Sequence, residues 1–209
     1  MTDWATISSL ATAGGTLVLA IATFGSIRSA NRAARVAELS LLSQQRPILI
    51  PSREDDPVEH VRFGDGKVLD VQGHGSSLML ADGNLYMAMA LRNGGTGLAV
   101  LHGWSVHLRV TARDVRPDLE GFRPQTRDLY IPAGDTGFWQ GAIRDRSDPD
   151  YGPIRAAFES GERIAIDVLY GDQEGGQRAI ASFSASTAED DRGLVEVVRY
   201  WNVDRPDPR

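Results

Sequence analysis

The pattern of apolar and polar positions divides the chain in two. Residues 4 to 27 carry no charged side chain, and Arg28, Arg32 and Arg35 follow at once. A helix rises ~1.5 Å per residue, so this run covers ~36 Å, more than the ~30 Å hydrocarbon core of a bilayer. It predicts a transmembrane helix over residues 1–27. A buried helix of a soluble protein is the plain alternative. A cleaved signal peptide would need positive charge before the apolar run, where Asp3 stands. Arginine clusters stay on the cytoplasmic side. The expected arrangement is therefore a single span in the inner (cytoplasmic) membrane, N-terminus out, with the C-terminal domain in the cytoplasm.

Within the span, Ser9, Thr12, Thr16, Thr23 and Ser26 fall near one stripe at helical spacing, and Ile7, Leu10, Leu17, Ile21 and Phe24 on another. Small and hydroxyl side chains let a second helix approach and hydrogen-bond, which suggests a homo-oligomer or a membrane-protein partner. The alternative is that the hydroxyls bond back to their own helix. Residues 28–46 keep helical composition and form a juxtamembrane helix that Pro47 stops. Arg28, Arg32 and Arg35 form a collar suited to anionic headgroups.

From Ile48 the period becomes two. Leu98, Val100, His102, Trp104, Val106, Leu108 and Val110 alternate with polar residues, the pattern of a half-buried strand with those seven on its core face. Leu85 to Leu91 make another strand, introduced by the turn signal Asp82-Gly83. Further strands are expected at 48–51, 67–72, 76–81, 127–131, 136–143, 162–170, 177–186 and 193–203. A short helix is expected near 151–160, capped by Gly161. Many short strands between Gly, Asp and Pro turns predict a mainly β fold: an antiparallel, immunoglobulin-like β-sandwich over residues 47–203, with an exposed tail at 204–209.

Charge then narrows the function. Up to residue 46 four arginines face two acids; beyond it eighteen basic residues face twenty-six acidic ones, a net −8. Such a domain is a poor nucleic-acid binder. The absence of cysteine removes any disulfide framework and is compatible with a reducing compartment. Candidate chemistry is sparse. His102 and His107 are expected on opposite faces of a strand, and His60 and His74 reach them only through loops, so no metal set emerges. His102 is read as a satisfied core histidine, or one displaced outward by a bulge at Gly103. Gly73-His74-Gly75-Ser76-Ser77 lacks the elbow of a serine hydrolase. Gly94-Gly95-Thr96-Gly97 precedes a strand instead of the helix that a phosphate loop needs. The acidic runs at 54–56, 145–150 and 189–191 lack calcium-loop spacing. No cofactor is implied.

Several stretches carry a resemblance: Arg28 to Arg35, Gln45-Arg46-Pro47, Leu91 to Trp104, Tyr170 to Arg178 and Trp201 to Pro206. Together they resemble a family of uncharacterised single-pass membrane proteins of high-GC bacteria, with an N-terminal transmembrane helix and a β-sandwich domain. The resemblance implies architecture and supplies no mechanism.

The expectation is a membrane-anchored, cytoplasm-facing interaction or assembly module without catalytic activity. Its candidate contacts are Asn93, Gly95, Gly97, Trp104, Trp139 and Asp172, on or near the loops at 94–97, 144–151 and 171–176. The alternative is a small-molecule sensor with a pocket between the sheets near Trp104 and Trp139, and beyond that a hydrolase or metal-dependent enzyme.

Overall fold

The computed structural model describes residues 3–108, 115–186 and 193–207, in two compact units that divide between Gln44 and Gln45. The first unit is one helix, α1 (Trp4–Gln44), unbroken where the arginines begin. Its stretch Ile7–Leu41 is long and apolar enough to cross a membrane. Leu10, Leu17, Ile21 and Phe24 are all exposed. The hydroxyls of Thr12, Thr16 and Thr23 donate to the carbonyls of Ser8, Thr12 and Leu19 at 2.9, 2.9 and 2.7 Å. These three residues of the polar stripe are thus satisfied within their own helix, which removes the penalty of a bare hydroxyl in an apolar medium.

The second unit is mainly β, and its ladders among the described residues are all antiparallel. In chain order the strands are β1 (Leu49–Pro51), β2 (Glu59–Arg62), β3 (Val68–Val71), β4 (Gly75–Ala81), β5 (Asn84–Asn93) and β6 (Ala99–His107). They continue with β7 (Arg123–Ile131), β8 (Thr136–Ile143), β9 (Ile164–Gly171), β10 (Ala179–Ala185) and β11 (Gly193–Asn202). The helix α2 (Tyr151–Ser160) ends as the sequence indicates, on Gly161 at φ 71°.

One half of the sheet centres on β5, which pairs with β4 and β1 along one side and β8 along the other. The other half runs β11-β10-β9-β6-β7. The halves join through a short contact of Gly193 and Leu194 with Ser76 and Gly75. The sheet therefore curls into an open half-barrel around one core. Met87 and Met89 of β5, Trp139 of β8, Ile166 of β9 and Phe183 of β10 are fully buried there, and α2 adds Tyr151, Ile154 and Ala157.

The opposite face of β5 is also covered. Val61, Phe63, Leu69 and Val71 of the β2–β3 hairpin pack over Tyr86, Ala88 and Ala90. The small Ala88 and Ala90 thus accommodate a third layer. Strand β2 is an addition to the expected list: Glu59-His60-Val61-Arg62 offers only one apolar residue, Val61, and it is the buried one.

Strand β6 requires a correction. The alternation places Leu98, Val100 and His102 on the core face with Trp104 and Val106, whereas the structure buries Ala99 and Leu101 and then Trp104 and Val106. The register slips at His102 against both β7 and β9. One extra residue reverses the facing of every side chain before it. His102 is the bulged residue, and it points outward as a bulge at Gly103 would have it. Leu108 is exposed, and Val110 lies outside the described residues, as does the acidic run at 189–191. The expected tail is partly tied down: Arg178 pairs with Asp204, and its backbone N–H donates to the same carboxylate at 2.7 Å.

Candidate functional site

Three places gather polar side chains. The first is where the chain enters the β unit. Asn93 ends β5 fully buried, and its amide is saturated. Nδ2 donates to the carbonyls of Gly97 (2.6 Å) and Ile131 (3.0 Å), while Oδ1 accepts from the N–H groups of Ile48 (3.1 Å) and Gly95 (2.9 Å). The N–H of Gly94 donates to Ile48 at 2.8 Å and that of Thr96 to Arg46 at 3.1 Å. A Cβ on Gly95 would overlap Arg46 and Ile48, and one on Gly97 would overlap Gln45. The run Asn93 to Gly97 is therefore a socket fitted around Gln45 to Ile48, with glycines where two backbones touch. From the other side Arg46 donates to Asn202 Oδ1 (2.5 Å) and Tyr200 Oη donates to the Leu49 carbonyl (2.5 Å). Burial pushes Tyr200 well above the usual tyrosine pKa and Tyr170 up to about 12. Asn93, Gly95 and Gly97 thus act within the molecule, on the chain leaving α1.

The second place is the outer face of β9 and β10. Asp167 is fully buried there. It accepts a very short hydrogen bond from Ser182 Oγ, and its other oxygen lies 3.2 Å from His107 Nε2. Serine, aspartate and histidine meet, but the carboxylate stands between the other two. In a Ser-His-Asp triad the imidazole is the serine's immediate proton acceptor. This order instead joins β6, β9 and β10 through a shared anion. Elsewhere His60 meets Asp70 at the surface, and His74 binds Ser52 through its backbone N–H and Nδ1. No group of three potential metal ligands occurs among the described residues.

The third place is a groove between β7 and β8. The two strands follow each other through the turn at 132–135 and touch near it, where the absent side chain of Gly137 accommodates Ile131. They then splay. Between Leu129 and Pro124, β7 leaves its ladder with β6. An open outer lobe of about 720 Å³ holds Arg62, Arg127 and Arg144, and a narrower inner lobe of about 220 Å³ lies over Phe63, Trp104, Arg123 and Gly141. Trp104 and Trp139 pack edge to face at 5.4 Å beneath it. Arg123 lies over Trp104 at 5.1 Å and is held by Asp148 (2.8 Å) and Asp150 (2.7 Å). Arg144 lies over Tyr86 at 5.6 Å and pairs with Asp65 at 3.1 Å. The Tyr86 hydroxyl and Arg144 together hold Asp65 below the usual carboxylate pKa.

Trp104 and Trp139, read from the sequence as core or pocket residues, are buried, and Trp104 forms part of the groove floor. Asp172 is buried, accepting from Gly176 N–H (2.9 Å) and Gln177 Nε2 (3.0 Å), which shapes the 171–176 loop from inside. That loop borders a separate open groove shared with His102 and Tyr130. Although it points outward, His102 is partly desolvated by the groove around it, and this, followed by the nearby Arg178, lowers its pKa. The folded chain holds that proton less well than the unfolded one, so acidification through the ordinary histidine range costs stability. His102→Gln should show a smaller drop in melting temperature between pH 8 and pH 5 than the parent; an equal drop would assign the pH dependence elsewhere.

Comparison of the chain with protein-family profiles, with curated proteins and with solved structures returned no match. The groove arginines are 62, 123, 127 and 144 in the chain, and no local spacing announces them. Only the weak signal of Gln125 and Arg127 in an otherwise alternating strand could have pointed to an irregular β7.

Proposed function

We propose that the chain is a single-pass membrane protein, N-terminus outside, whose β domain is a cytoplasm-facing binding module with no catalytic role. The reading places it with the tethered β-sandwich family that its motifs resemble. The socket at Asn93 is the observation that supports it most. A domain that spends a glycine-rich motif and Tyr200 on the chain leaving a long apolar helix holds that chain firmly at its entry into the β unit. The order of Ser182, Asp167 and His107 favours binding over acyl transfer, and the groove between β7 and β8 favours a ligand over a purely structural domain. Span pairing through Ser9, Thr12, Thr16, Thr23 and Ser26 is a weaker reading, since three of these hydroxyls are already satisfied.

Topology is the first test. The chain lacks cysteine, so a single cysteine introduced in the 171–176 loop is an unambiguous reporter. In intact cells it should resist a membrane-impermeant thiol reagent and react after permeabilisation, while the protein stays in the membrane pellet through alkaline carbonate. Ready labelling of intact cells would reverse the orientation, and release by carbonate would remove the span.

A further inference from the structure

We infer that the groove between β7 and β8 binds a nucleoside phosphate, with the phosphate among Arg62, Arg127 and Arg144 and the flat base in the inner lobe toward Phe63 and Trp104. This rests on the binding-module reading but not on the membrane topology.

Charge is the first argument. The domain carries a net −8, yet four guanidinium groups line one groove. Two are neutralised, Arg123 by Asp148 and Asp150 and Arg144 by Asp65. Those carboxylates and the rings of Trp104 and Tyr86 also fix the two side chains, so little rotamer freedom remains to be lost on binding. Arg62 and Arg127 have no carboxylate partner among the described residues; Arg127 Nη1 donates instead to the Arg62 carbonyl at 3.2 Å. Two unbalanced guanidinium groups beside two pre-oriented ones form a receptor for a multiply charged oxyanion, which accepts forked N–H pairs.

Shape is the second. The inner lobe has an aromatic and apolar floor, where Gly141, lacking a Cβ, lies directly against the rings of Trp139 and Trp104. Gln140 borders both lobes, is nearly fully buried, and its Oε1 finds no partner among the described residues. A flat ring with a hydrogen-bonding edge matches a π floor flanked by a buried amide and a cation. The combined lobes fall within the usual range of small-ligand pockets, about 300–1,000 Å³.

Edge chemistry disfavours a peptide strand in the same place. Pro124 has no N–H, β7 is bulged, and Gln125 Nε2 occupies the Gln140 carbonyl at 2.8 Å. These are devices that block strand addition. A nucleic-acid polymer is disfavoured by the surrounding negative charge.

Isothermal titration of the full chain in detergent micelles tests the assignment, using the four ribonucleoside 5′-monophosphates, adenosine and inorganic phosphate as probes. At least one monophosphate should bind saturably, at least about tenfold more tightly than adenosine or phosphate alone, and more weakly as salt rises. Arg62→Ala and Arg127→Ala should each weaken it by about tenfold, Arg127→Lys less, and Arg155→Ala on α2 not at all, with melting temperatures within a degree or two of the parent. No saturable binding by any monophosphate, adenosine binding as tightly as its phosphate, phosphate alone binding as tightly as a nucleotide, or unchanged affinity in the Arg62/Arg127 double alanine variant would each overturn the inference. None of these results alters the thiol-labelling outcome, so the two readings fail separately.

Discussion

Asn93→Ala lowers the stability of the β domain by about 3–5 kcal/mol. The side chain is fully buried and fills all four hydrogen-bonding positions of its amide. Removing it strips partners from two N–H groups and two carbonyls, and each buried polar group left alone costs ~1–3 kcal/mol. Part of the loss is recovered because Ile48 is exposed enough for water to reach, which keeps the sum below the simple total. Thermal unfolding of the full chain in detergent, followed by the near-ultraviolet circular dichroism of the tryptophans, measures it. Asn93→Asp separates hydrogen bonding from size. It keeps the shape but turns a carboxylate oxygen toward the carbonyls of Gly97 and Ile131. Protonation restores one donor, so this variant should lose less stability relative to the parent at pH 5 than at pH 8. A loss independent of pH would mean that the cavity, not the bonding, governs the site.

Trp139→Ala has an effect of similar size, about 3–5 kcal/mol, as for other large aromatic truncations in cores. Trp139 is completely buried at the meeting of β5 and β8, with Met89 opposite it in the ladder and Trp104 edge-on. Its indole N–H has no hydrogen-bond partner among the described residues, so Trp139→Phe removes volume without breaking a bond and should cost well under half as much. The groove adds a second readout. Gly141 and Trp104 rest on Trp139, so the alanine variant should lose nucleotide affinity together with stability, whereas Arg127→Ala loses affinity alone. Equal costs for alanine and phenylalanine would contradict the packing account.

The contrast between these two residues also shows what sequence could convey. Elements whose signal is local were legible: β8 and α2 occupy the expected spans, and α1 runs unbroken until the approach to Pro47. The class, mainly β behind one long helix, followed from those elements. Trp139 was legible as core because a tryptophan in a strand has few other places to go. Asn93 to Gly97 was legible only as a tight crossing. What it crosses against is Gln45 to Ile48, nearly fifty residues earlier, and no periodicity carries that pairing. β2 escaped because a surface hairpin needs one good apolar face, and half of a four-residue strand is two positions. The facing of β6 does not show in the alternation, because a bulge is one residue of misfit and the pattern is equally regular on either side of it. The groove is the extreme case: its arginines belong to β2, β7 and the segment after β8, and only the folded arrangement of these three brings them together.

The socket has a consequence for the order of events during synthesis. Its pieces come from opposite ends of the domain: Arg46 meets Asn202 across 156 residues, and Leu49 meets Tyr200 across 151. During synthesis residues 4–44 precede the whole of the β unit. The grip of Asn93 becomes possible with the end of β5, but Tyr200 and Asn202 arrive with the last described strand. Domains take shape from the N-terminus onward during translation, and this one cannot close its socket until β11 has been translated. A chain truncated before Tyr200 would carry α1 and the Asn93 run without the contacts that close the socket.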